Sequence, residues 1–313
     1  RSVRGLMAAL ALILLAALLL RLWLALRTGH PGFDAVYYLH QARTLVATGT
    51  LPFGSFAPGW PLLVAAGLLP VGPEDPLTVL RVAQLLNVAL GVGLVAAAFA
   101  MLRRPLGAPA ALLGAALLAI QPLAVRLSTG AMSDLLAALL LAGAWLLLRR
   151  GAWARTGLLL GYAYVVRPEL ILVLGAVAVS ELLRTRRVPW RLGLAAAVCV
   201  APYLVFARLA SGQWTLSGKS GFLAAGLADV QQRGLGAVLA ENLPELLAGL
   251  PAQLGWPLVL LAVLGLAVRP GRHLLFMLPI LVLPIFTFRM DARYWVPYLP
   301  FWILAAGHGG RWL

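Results

Sequence analysis

Asp34 and Asp134 are two carboxylates that stand beside apolar runs, and four cations, Arg167, Lys219, Arg289 and Arg293, hold comparable positions. A carboxylate so placed can take a proton from an attacking hydroxyl or amine. A guanidinium or ammonium can stabilise a departing phosphate, and the planar fork of arginine suits bidentate phosphate contact. Together they point to transfer of a group away from a phosphate. Each residue also has a plainer role open to it. Asp34 could cap a helix beginning at Ala35, and Asp134 could cap its own apolar run, since Asp is a preferred N-cap. Arg167 could pair with Glu169, and Arg293 could anchor an interface beside Tyr294 and Trp295.

Other chemistries find less support. His30 and His40 flank Asp34, but no third strong ligand has an obvious spacing, and isolated loop histidines face solvent. Oxygen ligands from Asp34 and Asp134 would suit Mg2+ or Mn2+, so a divalent-cation requirement stays open. Ser217-Gly218-Lys219-Ser220 imitates the end of a P-loop, yet Gln213 occupies the earlier glycine position and no strand precedes it. The lone Cys199 lies inside an apolar run, which leaves neither a disulfide framework nor a zinc cluster.

The elements that must position these residues are apolar helices. The 313-residue chain is 62% apolar and 11% charged, far from the balance of a soluble domain. Apolar runs fall near 5–27, 77–101, 106–125, 134–148, 156–183, 190–208, 252–268, 274–288 and 294–306. Pro168 disfavours helical geometry at Arg167, so 156–183 reads as two short helices meeting at a turn. The first run has no small-residue cleavage site and reads as a retained span. The expected fold is all-α, a polytopic integral membrane protein with about ten transmembrane helices in one module over 1–313. The chain begins at Arg1 and not Met, which leaves truncation at the termini open.

Arginine placement sets an expected orientation. With the N-terminus cytoplasmic, Arg103-Arg104, Arg149-Arg150-Arg155, Arg184-Arg186-Arg187-Arg191, Arg269-Arg272 and Arg311 all fall in cytoplasmic loops. The net charge of +15 then reads as topology signal and attraction to anionic membrane lipids, not as nucleic-acid binding. Of ten carboxylates, Glu181 alone falls at the cytoplasmic end. Loops 28–59 and 209–250 would be external. The first contains an amphipathic helix from Ala35 to about Thr48, with Val36, Leu39, Leu45 and Val46 as its apolar side and Gly49 as its stop.

Several stretches carry a family resemblance. Gly32-Phe33-Asp34-Ala35-Val36-Tyr37-Tyr38-Leu39 and the Phe56-Ala57-Pro58-Gly59-Trp60-Pro61-Leu62-Leu63 re-entry are followed by Ser133-Asp134-Leu135, Arg167-Pro168-Glu169 and Arg293-Tyr294-Trp295-Val296-Pro297-Tyr298. In this order they resemble the GT-C superfamily of membrane glycosyltransferases. The likeness is nearest to bacterial relatives of dolichyl-phosphate-mannose–protein mannosyltransferases and of lipid A aminoarabinose transferases. The resemblance implies a glycosyltransferase in the cell membrane, taking sugar from a polyprenyl-phosphate donor to a lipid, glycan or protein acceptor outside the cytoplasm. It also implies that Asp34 matches the family's catalytic acid. Asp134 is the second catalytic candidate, and Arg167, Glu169, Lys219, Arg289, Arg293, Tyr294 and Tyr37 form the expected substrate-binding set. Two features depart from the pattern: Ala35 stands where many mannosyltransferase relatives have a second acid, and the usual additional spans or C-terminal domain are not in this sequence.

The rival reading is a non-enzymatic lipid or solute transporter or flippase, with the break at Arg167-Pro168 as a midplane binding site. A transporter should repeat that break in its other half. Pro279 and Pro284, the prolines of the corresponding late span, carry no adjacent charge.

Overall fold

The computed structural model describes residues 3–32, 34–286 and 292–312. They form fifteen α-helices and two 3-10 segments. In chain order the helices are α1 (Val3–Arg27), α2 (Ala35–Thr48), α3 (Gly59–Leu68), α4 (Pro76–Leu106) and α5 (Ala108–Ile120). Next come α6 (Pro122–Leu127), α7 (Asp134–Arg149), α8 (Trp153–Val166), α9 (Ile171–Thr185) and α10 (Trp190–Ser211). The last are α11 (Ser220–Arg233), α12 (Leu235–Leu254), α13 (Trp256–Val268), α14 (His273–Phe286) and α15 (Leu299–Trp312). The 3-10 segments are Pro168–Leu170 and Ala292–Tyr298. Three helices, α1, α4 and α10, are long and apolar enough to cross a membrane; α12 and α13, bent by 112° at their junction, make a fourth if counted as one span.

Local chemistry explains the breaks. Pro168 ends α8, and the chain turns through one 3-10 segment before α9, so the run 156–183 is two helices meeting at a turn. Pro122 likewise divides the run 106–125 into α5 and α6, where Gln121 Oε1 accepts from the Ala124 amide at 2.6 Å. The segment 209–250 is mostly helical, in α11 and α12, and not an irregular loop. Its helices are divided at Gly212, Gly234 and Gly255, each in a left-handed or extended positive-φ conformation.

Small residues bring helices together where no hydrophobic drive acts between them. Gly157 and Gly161, one helical turn apart on α8, face α10 so closely that an added Cβ would meet the Leu192 and Ala196 carbonyl oxygens at 2.1 and 2.6 Å. Two buried or half-buried arginines tie helix ends. Arg21 in α1 donates to the Ala119 carbonyl at 2.7 Å, at the C-terminus of α5. Arg81 in α4 donates to the Leu26 and Thr28 carbonyls at 3.2 Å, at the C-terminus of α1. Unpaired helix carbonyls thus satisfy cations that apolar surroundings would otherwise penalise.

The amphipathic helix is present with the expected bounds, and Gly49 closes it in the left-handed conformation at φ 69°. Its buried face differs. Ala35, Tyr38, Gln41 and Ala42 point inward, Leu39, Leu45 and Val46 are half-buried, and Val36 is exposed. Gln41 Nε2 donates to the Pro52 and Phe56 carbonyls, which folds the following loop back onto α2. A polar residue therefore takes part of the inner face because it serves the loop's backbone.

Candidate active site

The loop carrying Asp34 is fixed against the segment before α7. The Gly32 amide donates to the Gly130 carbonyl at 3.0 Å, and Trp60 Nε1 donates to the Ala131 carbonyl at 2.8 Å. Tyr162 on α8 donates its hydroxyl to the Gly59 carbonyl at 2.8 Å. The start of α3 is thereby locked between α7 and α8. The far loop approaches equally closely: a Cβ at Gly218 would lie 1.7 Å from the Gly54 carbonyl oxygen, so glycine is required there. That approach delivers Lys219 to the cluster.

Asp34, Asp134, Arg167, Glu169, Lys219 and Arg293 line one narrow cleft of about 20 Å3. Asp34 is ion-paired with Arg293 at 2.5 Å. Arg167 is paired with Asp134 and, through Nε, with Glu169 Oε1 at 2.6 Å. Asp134 is 1% exposed and Arg167 9% exposed, so this second pair lies out of water. Tyr294 adds its ring to both cations, with the guanidinium carbons of Arg167 and Arg293 at 5.5 and 5.7 Å from its centroid. Lys219 Nζ lies 5.7 Å from the Phe56 ring centroid. Burial draws Lys219 below the usual lysine range, against the pull of Glu169.

The capping roles do not hold. Asp34 makes no side-chain cap to α2, because its carboxylate turns to Arg293 instead. Asp134 is the first residue of α7, not its cap, and its carboxylate is taken by Arg167. The contrast is Asp75, which caps α4 through the Leu77 and Thr78 amides at 3.1 and 2.8 Å. Arg167 does pair with Glu169 as the plainer reading had it, but Asp134 shares it.

No family model matches the chain, and no curated protein matches its sequence. Solved structures do match. ArnT from Cupriavidus metallidurans bound to undecaprenyl phosphate superposes with a TM-score of 0.63 at 16% identity, covering 100% of this chain and 61% of that one. The Archaeoglobus fulgidus oligosaccharyltransferase in its apo form gives 0.60 at 14% identity, covering 96% of this chain and 50% of that one. Both are GT-C membrane glycosyltransferases. The chain has the GT-C fold. It spans less than two thirds of the length of either structure.

Within this GT-C fold one expected site residue falls elsewhere. Tyr37 is 52% exposed and stacks on Phe56 at 4.9 Å, outside the cleft. Arg289 lies outside the described residues. The tyrosine that does line the cleft is Tyr38, whose hydroxyl is 3.2 Å from Ser133 Oγ. Burial pushes the Tyr38 phenol up to about 12, which keeps it a neutral hydrogen-bonding group. Spacing from Asp34 does not separate the two tyrosines, since residues three and four apart both share a helix face; Tyr38 is distinguished by its packing against Ser133. His30 and His40 are exposed. Among the described residues no three His, Cys, Asp or Glu side chains gather as a metal site.

Proposed function

We propose that the chain is a membrane glycosyltransferase module that moves a sugar from a polyprenyl-phosphate donor to an acceptor, with the cleft as its active site. The observation that carries this reading is the convergence of Asp34, Asp134, Arg167, Glu169, Lys219 and Arg293 from five separated segments into one cleft on a GT-C fold. The nature of the donor is supported by the undecaprenyl phosphate bound to ArnT.

The chemistry follows from the pairs. An acceptor hydroxyl or amine attacks the anomeric carbon, and the bond from that carbon to the phosphate oxygen breaks. The electron pair leaves with the phosphate, and the acceptor proton passes to Asp34. Arg293 is the group that couples these events: a donor phosphate competes with Asp34 for its fork, and on winning it frees the carboxylate to act as base. Lys219 and Arg167 add positive charge where the leaving phosphate gains its negative charge. Three carboxylates already balance three cations here. A Mg2+ or Mn2+ on Asp34 and Asp134 would therefore have to displace an arginine, and chelation with EDTA in the transfer assay decides whether one does.

The same reading takes α1, α4, α5 with α6, α7, α8, α9, α10, α13, α14 and α15 as about ten crossings. Helix α8 has 14 residues and is about 21 Å long, short of a hydrocarbon core of roughly 30 Å. The Arg167-Pro168-Glu169 turn would then sit in a wet recess, which the charges require. With the N-terminus cytoplasmic, this recess opens outside. Two experiments test the proposal. A panel of polyprenyl-phosphate sugars offered to membranes should show loss of one donor; no loss of any, with movement of intact donor across the bilayer, would support the transporter instead. In a Cys199→Ala background, cysteines at exposed Gln213 and Arg104 should label from outside and inside respectively. The reverse pattern would turn the cleft to the cytoplasm.

A further inference from the structure

The α8–α9 hairpin has a second end, about 21 Å of α8 away from the cleft. There the chain reverses sharply. Arg186 closes α9 in the left-handed conformation at φ 56°, a strained backbone for a residue with a side chain, and Pro189 then starts α10. The reversal leaves a cavity of about 490 Å3 lined by Trp153, Glu181, Arg187, Pro189, Trp190 and Arg191. That volume lies in the range of small-ligand sites, roughly 300–1,000 Å3.

Charge says what it could take. Glu181, the one acid lining it, is buried and already held by Arg184 at 2.7 Å and Arg272 at 3.6 Å. Arg187 and Arg191 have no ion pair among the described residues. Arg191 instead lies over the Trp190 ring at 5.2 Å, which orients its fork. The cavity thus presents two arginines suited to a phosphate. Apolar chemistry surrounds it. Trp190 is 61% exposed, Leu183 on α9 is 62% exposed, and Leu194, one turn further along α10, is 65% exposed. Tryptophan beside arginine at the end of apolar helices is the arrangement of a membrane interface. A free phosphate would use the arginines and leave this apolar surface uncovered; an amphiphile covers both.

We propose that this cavity binds the headgroup of an anionic glycerophospholipid, with its acyl chains laid along α9 and α10. The proposal needs only that the chain sits in a membrane, and stands whether or not the cleft transfers sugar. The test is titration of the purified full chain in detergent with phosphatidylglycerol, phosphatidylcholine or inorganic phosphate, read by native mass spectrometry. Phosphatidylglycerol should be retained over phosphatidylcholine. Arg187→Gln with Arg191→Gln should weaken it by roughly 30-fold, the loss of two phosphate-facing arginines near a membrane surface. Arg103→Gln with Arg104→Gln removes the same charge at the end of α4 and should leave that affinity unchanged. Equal weakening by both double variants would mean diffuse surface charge and overturn the site. Displacement of phosphatidylglycerol by millimolar inorganic phosphate would mean a simple anion site, and equal binding of both lipids would remove the charge argument. If the double variant does not fold, Trp190→Ala replaces it and should also weaken phosphatidylglycerol binding, because the platform orienting Arg191 is gone; unchanged binding there overturns the proposal too.

Discussion

The two ends of the α8–α9 hairpin use the same residue type in opposite ways. At one end Arg167 is buried, shared between Asp134 and Glu169, in a cleft of about 20 Å3. At the other, Arg187 and Arg191 line about 490 Å3 with a carboxylate that other arginines already neutralise. The difference lies in burial and partners, not in the amino acid. A guanidinium whose partners are buried carboxylates is part of the frame, and removing it strands charges. One without such partners is free to meet a ligand from outside.

The largest effect that could break this contrast is on stability. Arg167→Met leaves Asp134 and Glu169 without their partner, and breaking a buried pair from one side costs about 3–5 kcal/mol. Arg187→Met removes an exposed cation with no ion pair among the described residues and should stay within about 0.5 kcal/mol. Thermal melts of both purified variants in the same detergent check it. Equal melting temperatures would mean that the buried network does not hold the frame.

The next effect separates catalysis from framing inside the cleft. Asp34→Asn cannot accept the acceptor proton and should lower turnover by roughly 100-fold or more. Its melting temperature should fall less than that of Arg167→Met, because the Asp34–Arg293 pair is only half-buried and the Asn side-chain oxygen can still accept from Arg293. Asp75→Ala is the inverse case: it removes the true cap of α4, should lower the melting temperature and should leave turnover intact. Transfer rates and melts on both variants settle the pair, and a near-normal rate for Asp34→Asn would remove the base.

How much of this was legible in the sequence depends on the range of the interaction. Pro168 and Gly49 act on their own backbone, so the broken hairpin and the end of α2 could be read directly. The capping potential of Asp34 is also local, yet it loses to Arg293, a partner 259 residues away that no spacing rule reaches. The same holds for Lys219, which arrives only because Gly218 lets two loops touch. The inner face of α2 departs from the apolar pattern for a related reason: Gln41 turns inward to serve loop carbonyls, which hydrophobic periodicity cannot register. Helices α11 and α12 carry polar residues and are closed by glycines, so apolar runs alone do not mark them.

Lys219 offers a smaller effect that sharpens the contrast by pH. Burial lowers its pKa below the ordinary lysine value of about 10.4. The cation is present below the lowered value and is lost as pH rises through it, so donor affinity should fall on the alkaline side earlier than for an exposed lysine. Arginine keeps its charge throughout that range. Lys219→Arg should therefore flatten the alkaline limb of kcat/KM while leaving the neutral-pH value within a few-fold, about 1 kcal/mol or less. Phospholipid binding at Arg187 and Arg191 should show no such limb in either chain. An alkaline limb that survives in Lys219→Arg would assign the titration to another group.

The smallest expected effect concerns two adjacent tyrosines on α2. Tyr38 is 6% exposed and shares a hydrogen bond of 3.2 Å with Ser133, the residue before Asp134. Tyr37 is half-exposed and stacks its ring on Phe56, with no hydrogen bond needed for that contact. Replacing each by Phe removes only a hydroxyl. Tyr38→Phe then leaves the buried Ser133 without that partner, a loss of about 1 kcal/mol for a neutral pair. Because Ser133 adjoins Asp134, the loss should appear in turnover by several-fold as well as in the melt. Tyr37→Phe keeps the stack and should change neither measurement beyond about 0.5 kcal/mol. Donor titration on the two variants reads the difference. If Tyr37→Phe is the one that raises the donor requirement, the substrate approaches over the exposed face of α2, and the cleft is not where the sugar is bound.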